Sequence, residues 1–283
     1  MKFKVIFIVF NLVIVFSFAF IFFMPLLMLG QEYFSLSFKQ NLIPALLFVF
    51  TFIIINSYFL SNWKLFNLLE AENWPQLIKF LEEEIFTRNR VRGSYIKMLI
   101  NAYLLSSAIE KIASLEARVA EKKPLLINRY AIRFGIPYLL KRSPGEAENY
   151  FSRLITAPKV HGRVWVEWNY AFSLMQQHKF NEAKEILMGL AESKKDHLLL
   201  LLTLYLLDSF SKNDTAVAAD VSAGCEYLKK RYTQNSLQKK LERSHKNIEV
   251  LLLSRIFNDA LGWLFRPDPE IDLKNSSPSY KLD

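Results

Sequence analysis

The sequence holds a single cysteine, Cys225, which excludes an intrachain disulfide framework. Glycine is scarce, with eight in 283 residues, and no glycine-rich loop of the kind that cradles phosphates occurs. The four histidines, His161, His178, His197 and His245, are scattered, and apart from common glutamates their neighbours offer no helical zinc-ligand spacing. Cys225 stands between Gly224 and Glu226 on an expected helix, a setting for a structural thiol rather than a nucleophile. The period-two alternation of half-buried strands is missing as well. These absences lead to the expectation that the chain is no enzyme, takes no cofactor and binds no metal.

Long uncharged runs are what the chain has instead. Val5 to Leu29 reads VIFIVFNLVIVFSFAFIFFMPLLML, and Leu42 to Leu60 reads LIPALLFVFTFIIINSYFL. Each is long enough to cross a bilayer core of ~30 Å at about 1.5 Å per residue. The first run is too long for a signal peptide, and LMLGQ ends in neither an A-x-A-like site nor a lipobox cysteine. Residues 1–61 are therefore expected to form a transmembrane hairpin, with spans at about 5–29 and 42–60. Lys2 and Lys4 precede the first span, Glu32 and Lys39 cancel in the link, and Lys64 follows the second. That bias puts both the N-terminus and the large C-terminal part on the cytoplasmic side of a bacterial inner membrane. Asn11 and Asn56 fall at a similar depth, and two readings are open: an amide pair across the hairpin, or two amides near the interface within reach of water.

Beyond Ser61 the chain reads as successive helices, and the expected fold class is all-α. Punctuation falls at Ser143-Pro144, Asn181-Glu182 and Asn213-Asp214, and the last helical run is about Leu237 to Phe265. Residues 266–283, RPDPEIDLKNSSPSYKLD with Arg266 included, have the composition of a disordered tail. The stretch HKFNEAKEIL carries one small residue, Ala183, among charged neighbours, and the pattern recurs at Ala147. Both alanines follow a glutamate, Glu182 and Glu146, and both precede an apolar residue one turn on, Leu187 and Phe151. Upstream of each lies another small residue, Ala171 and Gly135. Small residues facing each other let two helices approach closely, and their recurrence marks a solenoid of helix pairs. The phase extends to Ala113 and Leu77 on one side and Val217 on the other.

These segments resemble tetratricopeptide repeats, with the best units at about 128–161 and 164–197 inside a repeat domain of 62–265. Gly135, Tyr138, Ala147 and Phe151 match the family's packing positions in one unit, and Ala171, Leu174, Phe180 and Ala183 in the next. Ala131 and Glu167 replace the family's tryptophan, Leu154 and Leu190 replace an alanine, and the usual proline is displaced to Pro158 or absent. The resemblance implies a TPR-like α-solenoid after the hairpin. It also implies a protein-binding groove lined by the first helix of each unit. Carried onto this chain, Arg129, Ile132, Ile136 and Leu139, with Arg133 beside them, line it in one unit, and Trp165, Trp168, Phe172 and Met175 in the next. For Trp168 and Phe172 a place in the core between repeats suits the spacing equally well. The layout is also similar to HemY-type inner-membrane proteins.

The net charge of +9 invites a nucleic-acid reading. The basic clusters are interleaved with glutamates and carry no nucleic-acid-binding motif, so no nucleic acid is expected as partner. A solvated helix face, then contact with anionic lipid, are the readings preferred for these clusters. The expected function is a membrane-anchored scaffold that holds other proteins, membrane-complex subunits among them, through a partly aromatic groove. The alternative is an assembly or stability factor of one envelope complex (secretion, envelope or flagellar motor), with the hairpin part of the interface. A role in tetrapyrrole metabolism rests on the HemY-type layout alone.

Overall fold

The computed structural model describes residues 3–141, 143–212, 214–244 and 248–266, and among them there is no strand. Apart from Arg266, the expected tail lies outside the described residues. The chain divides into two compact units, Met1–Ala108 and Ile109–Asp283, so the division falls after the fourth helix and not at the end of the apolar hairpin.

In the first unit, α1 (Phe3–Ser61) is interrupted at Gly30, whose φ of 82° and ψ of −179° belong to a region that side chains disfavour. Its two arms run antiparallel: Phe7 meets Phe59 at a centroid distance of 5.4 Å, and Phe18 stacks on Phe48 at 4.5 Å. The stretches Lys4–Met24 and Asn41–Ser61, 21 residues each, are long and apolar enough to cross a membrane. Asn11 and Asn56 do not use each other. Each amide N–H donates to a carbonyl one turn back on its own arm, Phe7 at 2.8 Å and Phe52 at 3.0 Å. The backbone offers that acceptor at no cost in side-chain reach, so the cross-arm pair is not made.

Three helices and a π-turn complete this unit: α2 (Trp63–Glu70), α3 (Trp74–Glu82), the π-turn Glu83–Thr87, and α4 (Gly93–Leu105). Asn73 caps α3 by accepting from the Gln76 N–H at 3.2 Å. Leu77 and Leu81 of α3 pack against α4, where Ile96, Leu99 and Ile100 are buried. The π-turn buries Glu84, whose carboxylate accepts from Arg88 at 2.8 Å and Arg90 at 3.1 Å. Arg88 and Arg90 are thus both committed to one buried acid, the pairing a buried charge requires.

The second unit starts with α5 (Lys111–Lys122), the short α6 (Leu125–Arg129) and α7 (Ala131–Leu140). Then come α8 (Pro144–Thr156), α9 (Arg163–Gln176), α10 (Phe180–Ser193), α11 (His197–Ser211) and α12 (Thr215–Arg231). Three helices close it: α13 (Gln234–Ser244), α14 (Ile248–Leu252) and α15 (Ser254–Leu264). From α7 to α12 each helix packs on the next, and α7, α9 and α11 also touch in sequence, as α10 and α12 do. That is the neighbour-on-neighbour pattern of stacked helix pairs. Pro144 opens α8, where its missing N–H costs nothing, and Asp196 and Asp214 cap α11 and α12 through their side chains.

The small residues sit where helices meet. A Cβ on Gly135 would stand 2.6 Å from Cζ of Phe151. Ala147, Ala171, Ala183 and Val217 are buried. Gly224, which the repeat phase did not single out, plays the same part: its Cβ would stand 2.6 Å from Leu204. Two expectations are corrected. Ala113 faces solvent on α5, where Ile112, Leu115 and Val119 form the buried face, so the phase is lost before α7. Phe180 is 45% exposed, because it begins α10 and only the edge of its ring meets His178 and Phe210.

A paired substitution separates helix contact from helix propensity. Gly135→Ala is expected to cost about 1–3 kcal/mol, since the aromatic ring of Phe151 must move. Gly189→Ala, inside α10 with nothing within 4 Å of the new Cβ, is expected to gain roughly 0.5–1 kcal/mol from propensity alone. Thermal unfolding midpoints of the two variants should therefore move in opposite directions.

Candidate groove and its resident helix

The residues expected to line a groove fall on α6, α7 and α9, and they do not form one exposed strip. Arg129 stands apart on α6, because Tyr130 (φ −114°, ψ 27°) breaks the helix before α7 begins. Ile132 and Ile136 are buried in α7, and Arg133 and Leu139 are half-buried. On α9, Trp168 is fully buried with its ring stacked on Phe172 at 5.3 Å and 9°. Phe172, Met175 and Trp165 are half-buried and pack against the same core. Trp168, one of the two residues left open between core and groove, therefore belongs to the core.

Trp165 is covered by the chain itself. α15 packs on α11 and sets Phe257, which is fully buried, 6.4 Å from the Trp165 ring. α14 packs on α7, and its Val250 is buried. The three helices that would line a groove, α7, α9 and α11, thus carry α14 and α15 along them. Two polar bonds fix the arrangement. Trp165 Nε1–H donates to Asp196 at 3.2 Å, and Trp263 Nε1–H of α15 donates to Asp208 of α11 at 2.9 Å. The ring of Trp263 also meets Tyr205 edge-on at 5.7 Å.

The sequence pattern of α15 explains its position. Phe257, Ala260, Leu261 and Leu264 recur at helical spacing and are buried, while Asn258, Asp259 and Gly262 face solvent. An apolar stripe of that width needs a partner surface, and α11 supplies one with Leu198 to Leu202, Leu204 and Leu207 buried. Asp196, Asp208, Phe257 and Trp263 were not singled out from the sequence. The stripe on α15 was the available signal, and its partner lies some fifty residues upstream, beyond the reach of local pattern.

Near α5 a second polar group is drawn into the interior. Tyr138 donates to Glu116 at 3.1 Å, and burial, then the Glu116 charge and the hydrogen bond itself, push the phenol up to about 12. Burial likewise raises the Glu116 carboxyl, against the opposing effects of the Tyr138 bond and the Arg153 charge. Among the described residues no three His, Cys, Asp or Glu side chains converge as a metal site would require.

A family model described as "Uncharacterised Treponema protein" matches residues 111–266, which takes in every helix of the second unit from α5 to α15. An "Uncharacterized protein" of Treponema pallidum (strain Nichols) is 29% identical over 232 residues, covering 78% of this chain and 74% of its own length. No solved structure matches.

Proposed function

The chain belongs to this Treponema family, whose matched region includes α14 and α15, and we propose that it is a membrane-anchored helical-repeat scaffold of tetratricopeptide type. In this reading the α1 hairpin holds the chain in the inner membrane, and the surface of α7, α9 and α11 binds a helix of a partner protein. One observation carries it: that surface already accommodates an amphipathic helix, α15, through Phe257 on Trp165 and Trp263 on Asp208. Helix-in-groove recognition uses the same apolar anchors at one-turn spacing. A partner helix would compete with α15, so the resident helix sets a threshold for binding.

A peptide of residues 254–265 is the probe, with fluorescence anisotropy on the full chain in neutral detergent. Phe257→Ala removes an anchor worth about 3–5 kcal/mol, so the variant is expected to bind the peptide at least about tenfold tighter than the unaltered chain. If the variant keeps its helix content and the peptide binds neither chain, the groove reading fails. Deleting residues 1–61 then separates scaffold from assembly factor: peptide binding survives in the first case. In the second, association with the membrane complex is lost along with the hairpin.

A further inference from the structure

We propose that the surface around His197, Tyr227 and Tyr232 is a binding site for a phosphate-type oxyanion. Four elements meet there. His197 is the first residue of α11, and Tyr227 and Arg231 stand one turn apart at the end of α12. Tyr232 follows α12, Lys240 lies on α13, and Lys194 directly follows α10.

An ammonium only donates, so Lys240 Nζ gives a hydrogen to Tyr232 Oη at 2.9 Å. The Tyr232 hydroxyl is also hydrogen-bonded to His197 Nδ1, at 2.7 Å. On the other side of the ring, His197 Nε2 lies 3.3 Å from Tyr227 Oη, so the imidazole bridges the two phenols. Tyr227 Oη also accepts from Arg231, in a close contact. Burial lowers the His197 pKa, and the charges of Lys240 and Arg231 lower it further while Asp196 opposes them, consistent with a neutral ring.

Counted through, this network has surplus donors. Lys240 and Arg231 retain further N–H groups, and Lys194 places its ammonium 4.9 Å from the centre of the Tyr227 ring. The Arg231 guanidinium stands 5.1 Å from the same ring. Among the described residues no carboxylate pairs with Lys194, Arg231 or Lys240. Asp196, the acid whose charge acts on His197, is already engaged: Oδ1 accepts from the Leu198 and Leu199 N–H groups and Oδ2 from Trp165. Three cations gathered at two phenols without a counter-charge repel one another, and a multi-oxygen anion relieves that repulsion while accepting the surplus donors. Guanidinium and ammonium groups together suit the oxygens of phosphate. A free phosphate compound and a phospholipid headgroup share this chemistry.

Amine acetylation followed by peptide mass spectrometry reads the site on the full chain in neutral detergent. At constant ionic strength, inorganic phosphate in place of chloride is expected to slow acetylation of Lys194 and Lys240 by about tenfold and leave exposed Lys123 unchanged. In a parallel arm, phosphatidylglycerol is added to the detergent micelles with phosphatidylcholine as control. Protection by inorganic phosphate assigns the site to small phosphate compounds, and protection by phosphatidylglycerol alone assigns it to a headgroup. In either case Arg231→Gln should abolish most of the protection. The proposal is overturned if neither probe protects, if Lys123 is protected equally, or if Arg231→Gln is protected as well as the unaltered chain.

Discussion

Trp168→Ala is expected to destabilise the second unit by about 3–5 kcal/mol, the range for emptying a fully buried aromatic site. The indole is enclosed by α9's own Ala171 and Phe172 and by the leucine-rich core that α10 and α11 contribute. Its Nε1–H has no hydrogen-bond partner among the described residues, which is a standing cost of about 1–3 kcal/mol for a buried donor. Trp168→Phe removes that donor while keeping a stacked ring on Phe172. It is therefore expected to cost less than half of what the alanine variant costs, despite the smaller side chain. Denaturant midpoints of the full chain in detergent compare the two. If Trp168→Ala unfolds at the original midpoint, the residue is a binding-surface group after all and the core assignment is wrong.

How much of this was legible beforehand depends on how local the cause was. The helix starts at Pro144 and Asp214 follow from residue chemistry within one turn, and both stand in the structure where the sequence puts them. That Gly135 sits at a close helix contact is also readable from the repeat period, but the spacing sets it against Ala147, whereas the structure sets it against the larger rings of Phe151 and Tyr150. The same device misplaces Ala113, since α5 turns its Ile112, Leu115 and Val119 inward and keeps no memory of the repeat phase. It also puts Arg129 in a groove helix, which the break at Tyr130 prevents. The run from Leu237 to Phe265 reads as one helix. The structure divides it into α13, α14 and α15, and the last two return to α7 and α11. No period relates α15 to α11. Only the amphipathic stripe hints that a surface elsewhere must receive it, and the position of that surface is a tertiary fact.

The full-length chain is expected to remain in the membrane pellet after alkaline carbonate extraction, and a cysteine at Ser222 is expected to react with an impermeant maleimide only after lysis. The first expectation rests on exposure. Phe16, Ile21, Leu27 and Ile43 are 70–78% exposed on the arms of α1, and no residue of Lys4–Met24 or Asn41–Ser61 is buried. Leaving each such side chain in water forfeits about 1.5–3 kcal/mol, which is the reason for expecting the pellet. Each 21-residue arm rises about 31 Å, close to the thickness of the bilayer core. The second expectation rests on charge. In the sequence Lys2 and Lys4 precede the first apolar run and Lys64 follows the second, whereas Glu32 and Lys39 in the link cancel, which favours both ends inside. Arg88 and Arg90 add little, being tied to Glu84. Ser222 is exposed on α12 and suits the label. Burial pushes the native Cys225 thiol up to about 11, so it stays protonated and slow to react near neutral pH, and Cys225→Ser removes its residual signal. Release by carbonate would overturn the anchor. Labelling in intact spheroplasts would reverse the expected orientation.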